Sequence, residues 1–156
     1  MERVIDLHIR SELESSIPLH HTQFAYLKGK STVTALHHLV SKIETSFRCK
    51  EVALCAFLDI EEAFNNTGYD SITHALRCRN MDALTINWIR AMLMHRNISA
   101  SWGATSVSIR AVGGCPQGGV LSPLLWSLVI DDLLYQLHER GLTTIRYTDD
   151  LVVVVS

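Results

Sequence analysis

Thr144-Ile145-Arg146-Tyr147-Thr148-Asp149-Asp150-Leu151-Val152-Val153-Val154-Val155 places two strand-like halves, the second wholly apolar, on either side of a short polar tip. Such a pattern reads as a tight β-hairpin with two carboxylates, Asp149 and Asp150, at its end. Upstream, Val52–Ile60 is a nearly continuous apolar run closing on Asp59, which reads as a buried strand. Helical signals surround these strands. Glu2–Glu14 mixes apolar and charged residues at helical spacing. Ser31 or Thr32 can cap a helix reaching about Arg48, with Ala35, Leu36, Leu39, Ile43 and Phe47 on one side. Asp70 and Asp82 read as N-caps of helices over 71–79 and 83–95. Ile98–Trp102 and Ser106–Val112 suggest a second hairpin, and Ser122-Pro123 opens a helix that stops at Gly141. The expected class is α+β, with the strands in one antiparallel sheet and helices packed behind it.

Two apolar strands that end in acids raise a chemical question. A carboxylate leaving a buried strand is costly unless it is paired, hydrogen-bonded or bound to a cation. If the hairpin lies beside the first strand, Asp59 and Asp149 can share a pair of Mg²⁺ ions, which favour oxygen ligands and lie about 3.5–4 Å apart in two-metal sites. The competing reading is that Asp149-Asp150 is a polar turn. Asp131-Asp132 lies within an apolar helix, where a solvated face or interhelix hydrogen bonds are expected. Gly113-Gly114-Cys115-Pro116-Gln117-Gly118-Gly119 must be a loop. Its glycines let backbone approach a ligand closely, and no Gly-Lys-Ser/Thr closes it as a P-loop would.

Composition narrows the classes. With 47% hydrophobic and 19% charged residues over 156 positions, the chain has material for a globular core. Glu2, Arg3 and Asp6 interrupt any N-terminal apolar run, so no secretory leader is expected, and the apolar stretches are too short to span a bilayer. A soluble chain without a membrane partner is the expectation. Cys49, Cys55, Cys78 and Cys115 form no C-x-x-C pair, which points to reduced thiols in an intracellular setting. The pairs His20-His21 and His37-His38 are neighbours that face different directions, so they make poor metal clamps. A net charge of −2 runs against nucleic-acid binding, which usually brings a basic excess.

Three segments nevertheless carry a resemblance. Phe57-Leu58-Asp59-Ile60-Glu61-Glu62-Ala63-Phe64 resembles motif A of reverse transcriptases. Gly114-Cys115-Pro116-Gln117-Gly118-Gly119-Val120-Leu121-Ser122-Pro123 resembles motif B, and Tyr147-Thr148-Asp149-Asp150 resembles motif C. Gln23-Phe24-Ala25-Tyr26 through Lys28-Gly29-Lys30-Ser31-Thr32 is similar to the segment before motif A in non-LTR (LINE-type) retrotransposons, of the Jockey and R1 kind.

The resemblance implies a polymerase palm-like antiparallel sheet packed on helices, with residues 51–156 forming the palm and 1–50 part of the fingers. It implies RNA-directed DNA polymerisation from dNTP onto a primer 3′-OH. Asp59, Asp149 and Asp150 would bind two Mg²⁺ (or Mn²⁺), with the Ile60 carbonyl assisting. Ala63, Phe64, Gln117 and Gly118 would surround the nucleotide, Phe64 excluding a 2′-OH. Gly29, Lys30, Ser31 and Thr32 would lie near the template, although Lys28 and Lys30 also suit a solvated surface. RNA template, DNA primer and the rest of a parent polyprotein with fingers, thumb and endonuclease are the implied partners, with nuclear action on target DNA.

Glu2-Arg3-Val4-Ile5 resembles the end of the second fingers motif, and the chain stops shortly after Asp150. The N-terminal part of the fingers and the thumb are therefore expected to be missing, taking basic residues with them, and the fragment alone is expected to be inactive. Three positions depart from the pattern: Asn65 for a usual Asp, Glu62 for a frequent Gly, and Thr148 for a commoner Ala. An inactive retrotransposon remnant is thus one rival reading. Another palm polymerase, such as an RNA-dependent RNA polymerase, is a second, against which Phe64 argues.

Overall fold

The computed structural model describes all 156 residues. Five helices and five strands follow in the order α1 (Glu2–Ser15), α2 (Thr32–Arg48), β1 (Leu54–Asp59), α3 (Tyr69–Cys78), α4 (Ala83–Met94), β2 (Asn97–Trp102), β3 (Thr105–Arg110), α5 (Ser122–Glu139), β4 (Thr143–Tyr147) and β5 (Asp150–Val155). The class is α+β, as expected. The strands, however, form two sheets: a three-stranded antiparallel one ordered β1-β5-β4, and the separate hairpin β2-β3. Both faces of that hairpin are exposed, so nothing seats it on the other strands. Cross-strand rungs such as Ser99–Ser108, 3.0 Å between hydroxyls, knit it locally. No helix is long and apolar enough to cross a membrane.

Two compact units divide the chain. The first comprises Met1–Ile17 and Phe64–Val129, the second Pro18–Ala63 and Ile130–Ser156. In the first, α3 packs on α4, and Ile9, Ile72, Leu76, Ile89, Leu93, Leu124, Leu125 and Leu128 are all at most 1% exposed. Burying each such side chain is worth about 1.5–3 kcal/mol. Asp82 caps α4 as expected, accepting from the Thr85 amide at 2.9 Å, and these Thr85 hydrogen bonds pull its pKa down to about 2. Asp70 does not cap α3. Gly68 takes that position without a side-chain bond, and Asp70 lies in the first turn, 3.6 Å from Arg90. Tyr69 is thereby the first helical residue.

In the second unit Ser31 and Thr34 form a reciprocal capping box for α2, worth about 1 kcal/mol. Ala35 and Leu39 join Phe24, Ile145 and Val154 in a core, with Ile43 packed against it. Leu36 and Phe47, expected on the same buried side, are 61% and 63% exposed, because the buried stripe of α2 is narrow. β1 is a larger departure: Leu54 and Phe57 are about 70% exposed. An apolar run does not say which strand a helix will cover: α2 packs on β4, at the opposite edge of the sheet, and a cavity lies between α2 and β1. Gly141, with φ +77°, ends α5 as expected. Its N–H donates to the His138 carbonyl, while Leu142 donates to Leu137.

A buried polar network lies along β4, where Gln23 pairs with Arg146 as a parallel bridge. Asp131 is fully buried, which corrects the solvated face offered for it, and its hydrogen bonds reach residues 20–23, outside any helix, rather than joining two helices. It accepts from the His20 amide at 2.7 Å and from the Gln23 side-chain amide. The Gln23 Oε1 in turn accepts from Arg146 Nη1 at 2.6 Å, and Gln23 and Arg146 are themselves fully buried. Burial pulls the Arg146 pKa down to about 10, with the nearby Tyr26, Asp131 and Asp149 opposing. Asp132, the next residue, remains on the exposed face and accepts from Gln136.

Next to this network the rings of His20, His21 and His138 meet tilted or edge-on, with centroids 4.5–6.0 Å apart. Burial and then the mutual charge of these rings lower the pKa of both His20 and His21. An unfolded histidine titrates near 6.5, so below that pH the unfolded chain binds more protons than the folded one. The melting temperature should therefore hold above about pH 6.5 and fall as the pH drops toward 5. His138→Gln, which removes one neighbouring charge, should flatten the slope. A melting temperature constant from pH 7.5 to 5 in the native sequence would contradict the ring contacts.

Candidate active site

Antiparallel pairing of β1 with β5 sets Asp59 directly opposite Asp150. The Ile60 N–H donates to the Asp149 carbonyl at 3.2 Å, extending the pairing by one residue. Of the two acids expected at the hairpin's end, Asp149 forms the turn with Thr148, and Asp150 is the first residue of β5. Opposed residues of an antiparallel pair share a face, with Cβ atoms about 4.5–5.5 Å apart. Like charges in that register repel, and Asp59 and Asp150 are both exposed to solvent. The backbone thus gathers Asp59, Ile60, Asp149 and Asp150 at one end of the sheet. Their donors are all oxygen, the chemistry Mg²⁺ prefers. The side chains do not close on a point, since no three carboxylate, imidazole or thiol groups of the chain converge as metal ligands. The residues therefore fit a divalent ion by donor type and placement, with the carboxylates splayed.

Two backbone positions here are strained. Thr148 has φ +55° at the first turn position, where a two-residue hairpin ordinarily uses glycine, and its hydroxyl donates to the Tyr147 carbonyl at 2.7 Å. Glu62 has φ +50°, the left-handed region that favours glycine. Its departure from the expected Gly thus has a conformational cost. Glu62→Gly should stabilise the chain by about 0.5–1 kcal/mol in urea unfolding, the difference between left-handed strain and glycine entropy. A loss of stability would show that the Glu62 side chain compensates for its backbone.

A cavity of about 420 Å³ opens beside these acids, lined by Asp59, Tyr147 and Asp150 together with Thr32, Leu36 and Phe57. Of the residues expected near a template, Thr32 begins α2 and borders this cavity, Ser31 is its cap, and Gly29 sits at φ +78°. Lys30 is held by its own loop. Its ammonium donates to the carbonyls of His21 (2.5 Å) and Gln23 (2.7 Å) and lies 4.8 Å above the Phe24 ring. Burial lowers its pKa. This is a partly buried, engaged cation rather than a solvated one.

The other expected residues, apart from the buried Ala63, belong to the first unit. Phe64 is partly buried, its ring centroid 6.5 Å from that of Trp126. Gln117 and Gly118 are exposed on the glycine-rich loop, with Gly118 at φ +81°. The Ser122 hydroxyl donates to the Pro116 carbonyl at 2.7 Å, tying the loop to the start of α5. Cys115 is buried, and burial pushes its thiol up to about 11 against the charge of Arg96. Arg96 and Tyr69 went unnoticed in the sequence, yet both bond to this loop. Neither lies in a motif, and only the fold brings them there.

Comparison with known proteins accords with these motifs. Residues 1–156 match the family model described as "Reverse transcriptase (RNA-dependent DNA polymerase)", and the chain belongs to that family. Its relatives lie among non-LTR retrotransposons. It is 31% identical over 133 residues to the Drosophila melanogaster protein named "Probable RNA-directed DNA polymerase from transposon X-element", covering 85% of this chain and 14% of that one. It is 27% identical over 138 residues to the RNA-directed DNA polymerase from mobile element jockey of the same species, covering 85% and 15%. The chain thus spans about one seventh of the length of these relatives. Among solved structures, apo telomerase from Candida tropicalis superposes with a TM-score of 0.70 at 12% identity, covering 99% of this chain and 33% of that one, a likeness of fold.

Proposed function

We propose that this chain is the palm, with part of the fingers, of an RNA-directed DNA polymerase that extends a DNA primer on an RNA template. Residues 51–156 form the palm in this reading and residues 1–50 the fingers portion. The observation that carries it is the register that sets Asp59 opposite Asp150, with Asp149 on the adjoining turn, in a chain of the reverse transcriptase family. Asp59, Asp149, Asp150 and the Ile60 carbonyl would hold two Mg²⁺ (or Mn²⁺). When bound, such ions lower the barrier to attack by a primer 3′-OH on the α-phosphate of a dNTP and offset the charge of the leaving pyrophosphate. The protein otherwise contributes position: Gln117 and Gly118 with Ala63 seat the nucleotide, Phe64 crowds its 2′ position, and Gly29–Thr32 guide the template.

A second reading, a retrotransposon remnant that no longer polymerises, draws support from Glu62, an acidic residue held at φ +50° where the family often has glycine. Primer extension separates the two. With poly(rA)/oligo(dT), dTTP and Mg²⁺, a version extended at both ends to the length of its relatives should incorporate dTMP. The 156-residue chain alone, with net charge −2, should extend little, because a basic channel is what holds nucleic acid in polymerases. Absence of extension by the long version would favour the remnant. In the active version Phe64→Val should raise ribonucleotide incorporation roughly tenfold or more, since the 2′-OH gains the vacated space. Unchanged discrimination would make Phe64 a packing residue against Trp126.

A further inference from the structure

Arg96 and Tyr69 meet the glycine-rich loop at its first two residues. Arg96 Nη2 donates to the carbonyls of Gly113 at 2.8 Å and Gly114 at 2.5 Å, with the Tyr69 hydroxyl 3.3 Å away. Its Nε donates to the Leu93 carbonyl at 3.1 Å, in the last turn of α4. The Tyr69 hydroxyl lies 3.3 Å from the Gly113 carbonyl and 3.4 Å from that of Ala111, and its single proton serves one of them at a time. Two successive carbonyls reach one guanidinium nitrogen at a residue, Gly114, whose φ is +73°.

Gly114 and the next residue, Cys115, are fastened on the other side. The Gly114 N–H donates to the Thr67 carbonyl at 3.0 Å, and the Cys115 N–H donates to the Phe64 carbonyl at 2.7 Å. A Cβ on Gly114 would stand 2.6 Å from the Asn65 carbonyl oxygen and 2.9 Å from that of Phe64. The loop therefore lies flat against Phe64–Thr67, and no side chain fits between them. On one side the anchor is backbone, and on the other it is a charged fork tied to α4 and α3. Gln117 follows Gly114 by three residues, so its origin and that of Phe64 are fixed by one clamp. A lysine in place of Arg96 would offer a point charge on a flexible stem and could not span the Leu93 carbonyl and both loop carbonyls.

We propose that Arg96, supported by Tyr69, is a positioning residue for nucleotide selection, holding the loop that carries Gln117 and Gly118 against the backbone of Phe64. The proposal rests on the polymerase reading above. Its test therefore has one arm that does not need activity. Amide hydrogen exchange of the 156-residue chain is compared with that of Arg96→Lys and Tyr69→Phe. Both substitutions should speed exchange at Gly114 and Cys115, by about tenfold or more for Arg96→Lys, while Ile89 within α4 keeps its native rate. Unchanged exchange at Gly114 and Cys115, or an equal rise throughout α4, would overturn the clamp.

The second arm places the same substitutions in a version that extends oligo(dT) on poly(rA). KM for dTTP should rise about tenfold with kcat within a few-fold of native, and the preference for dTTP over UTP should fall, with Arg96→Lys failing to rescue either. Native KM and native discrimination in Arg96→Lys would overturn the positioning role even if the loop had loosened. If the unsubstituted version does not extend the primer, the polymerase reading fails, and the exchange result still decides whether Arg96 holds the loop.

Discussion

Asp131→Ala is expected to destabilise this chain by about 3–5 kcal/mol, a large part of the roughly 5–15 kcal/mol that holds a domain together. Asp131 is fully buried and ends a relay that reaches Arg146 through both atoms of the Gln23 amide. Removing the carboxylate leaves the His20 amide and the Gln23 amide without their acceptor. It also strips support from a fully buried guanidinium whose pKa burial has already pulled down to about 10. Asp131→Asn keeps an acceptor but loses the charge, so it should cost less than Asp131→Ala and still more than a surface change. Gln23→Leu should approach the alanine variant, because it cuts the relay in the middle. Urea midpoints for the three variants give the order. A loss below about 1 kcal/mol for Asp131→Ala would mean that Arg146 does not depend on this network.

That network explains why some of the fold could be read from the sequence and some could not. The hairpin over 143–155 was legible because β-branched runs flank a turn, and the Ser31 and Asp82 caps because capping is local chemistry. Asp131 was misread. In the sequence it is one of two adjacent acids on an apolar helix, and only the approach of residues 20–23, far off in the chain, separates it from the exposed Asp132. The exposure of β1 was hidden for a related reason, since an apolar run does not say which strand a helix will cover, and α2 packs on β4. Among the candidate site residues, sequence spacing could not set Asp59 opposite Asp150, because that register depends on the whole β1-β5 pairing. Resemblance to motifs named the residues. Arg96 carried no such signal, as three of its partners are carbonyls, which every residue has, and the fourth is the hydroxyl of Tyr69, far off in the chain.

Asp59→Asn is expected to separate stability from activity. In a version competent for primer extension it should lower incorporation roughly a hundredfold or more, while leaving the fold as stable as before or more stable by a few tenths of a kcal/mol. The two effects have opposite signs because of one arrangement. Asp59 faces Asp150 across an antiparallel pair, and like charges directly opposite each other repel. Replacing one carboxylate by an amide of the same shape removes the repulsion and leaves the β1-β5 ladder intact. The same replacement discards a charge that a divalent ion would need, and stabilisation of the transferring phosphate by such ions is worth several kcal/mol. Asp149→Asn should likewise abolish extension but bring a smaller gain in stability, since Asp149 sits on the turn and has no acid paired opposite it. Chemical unfolding and primer extension on the same preparations check both halves. Loss of activity accompanied by loss of stability in Asp59→Asn would show that the residue serves the sheet, and retained activity would remove it from the catalytic set.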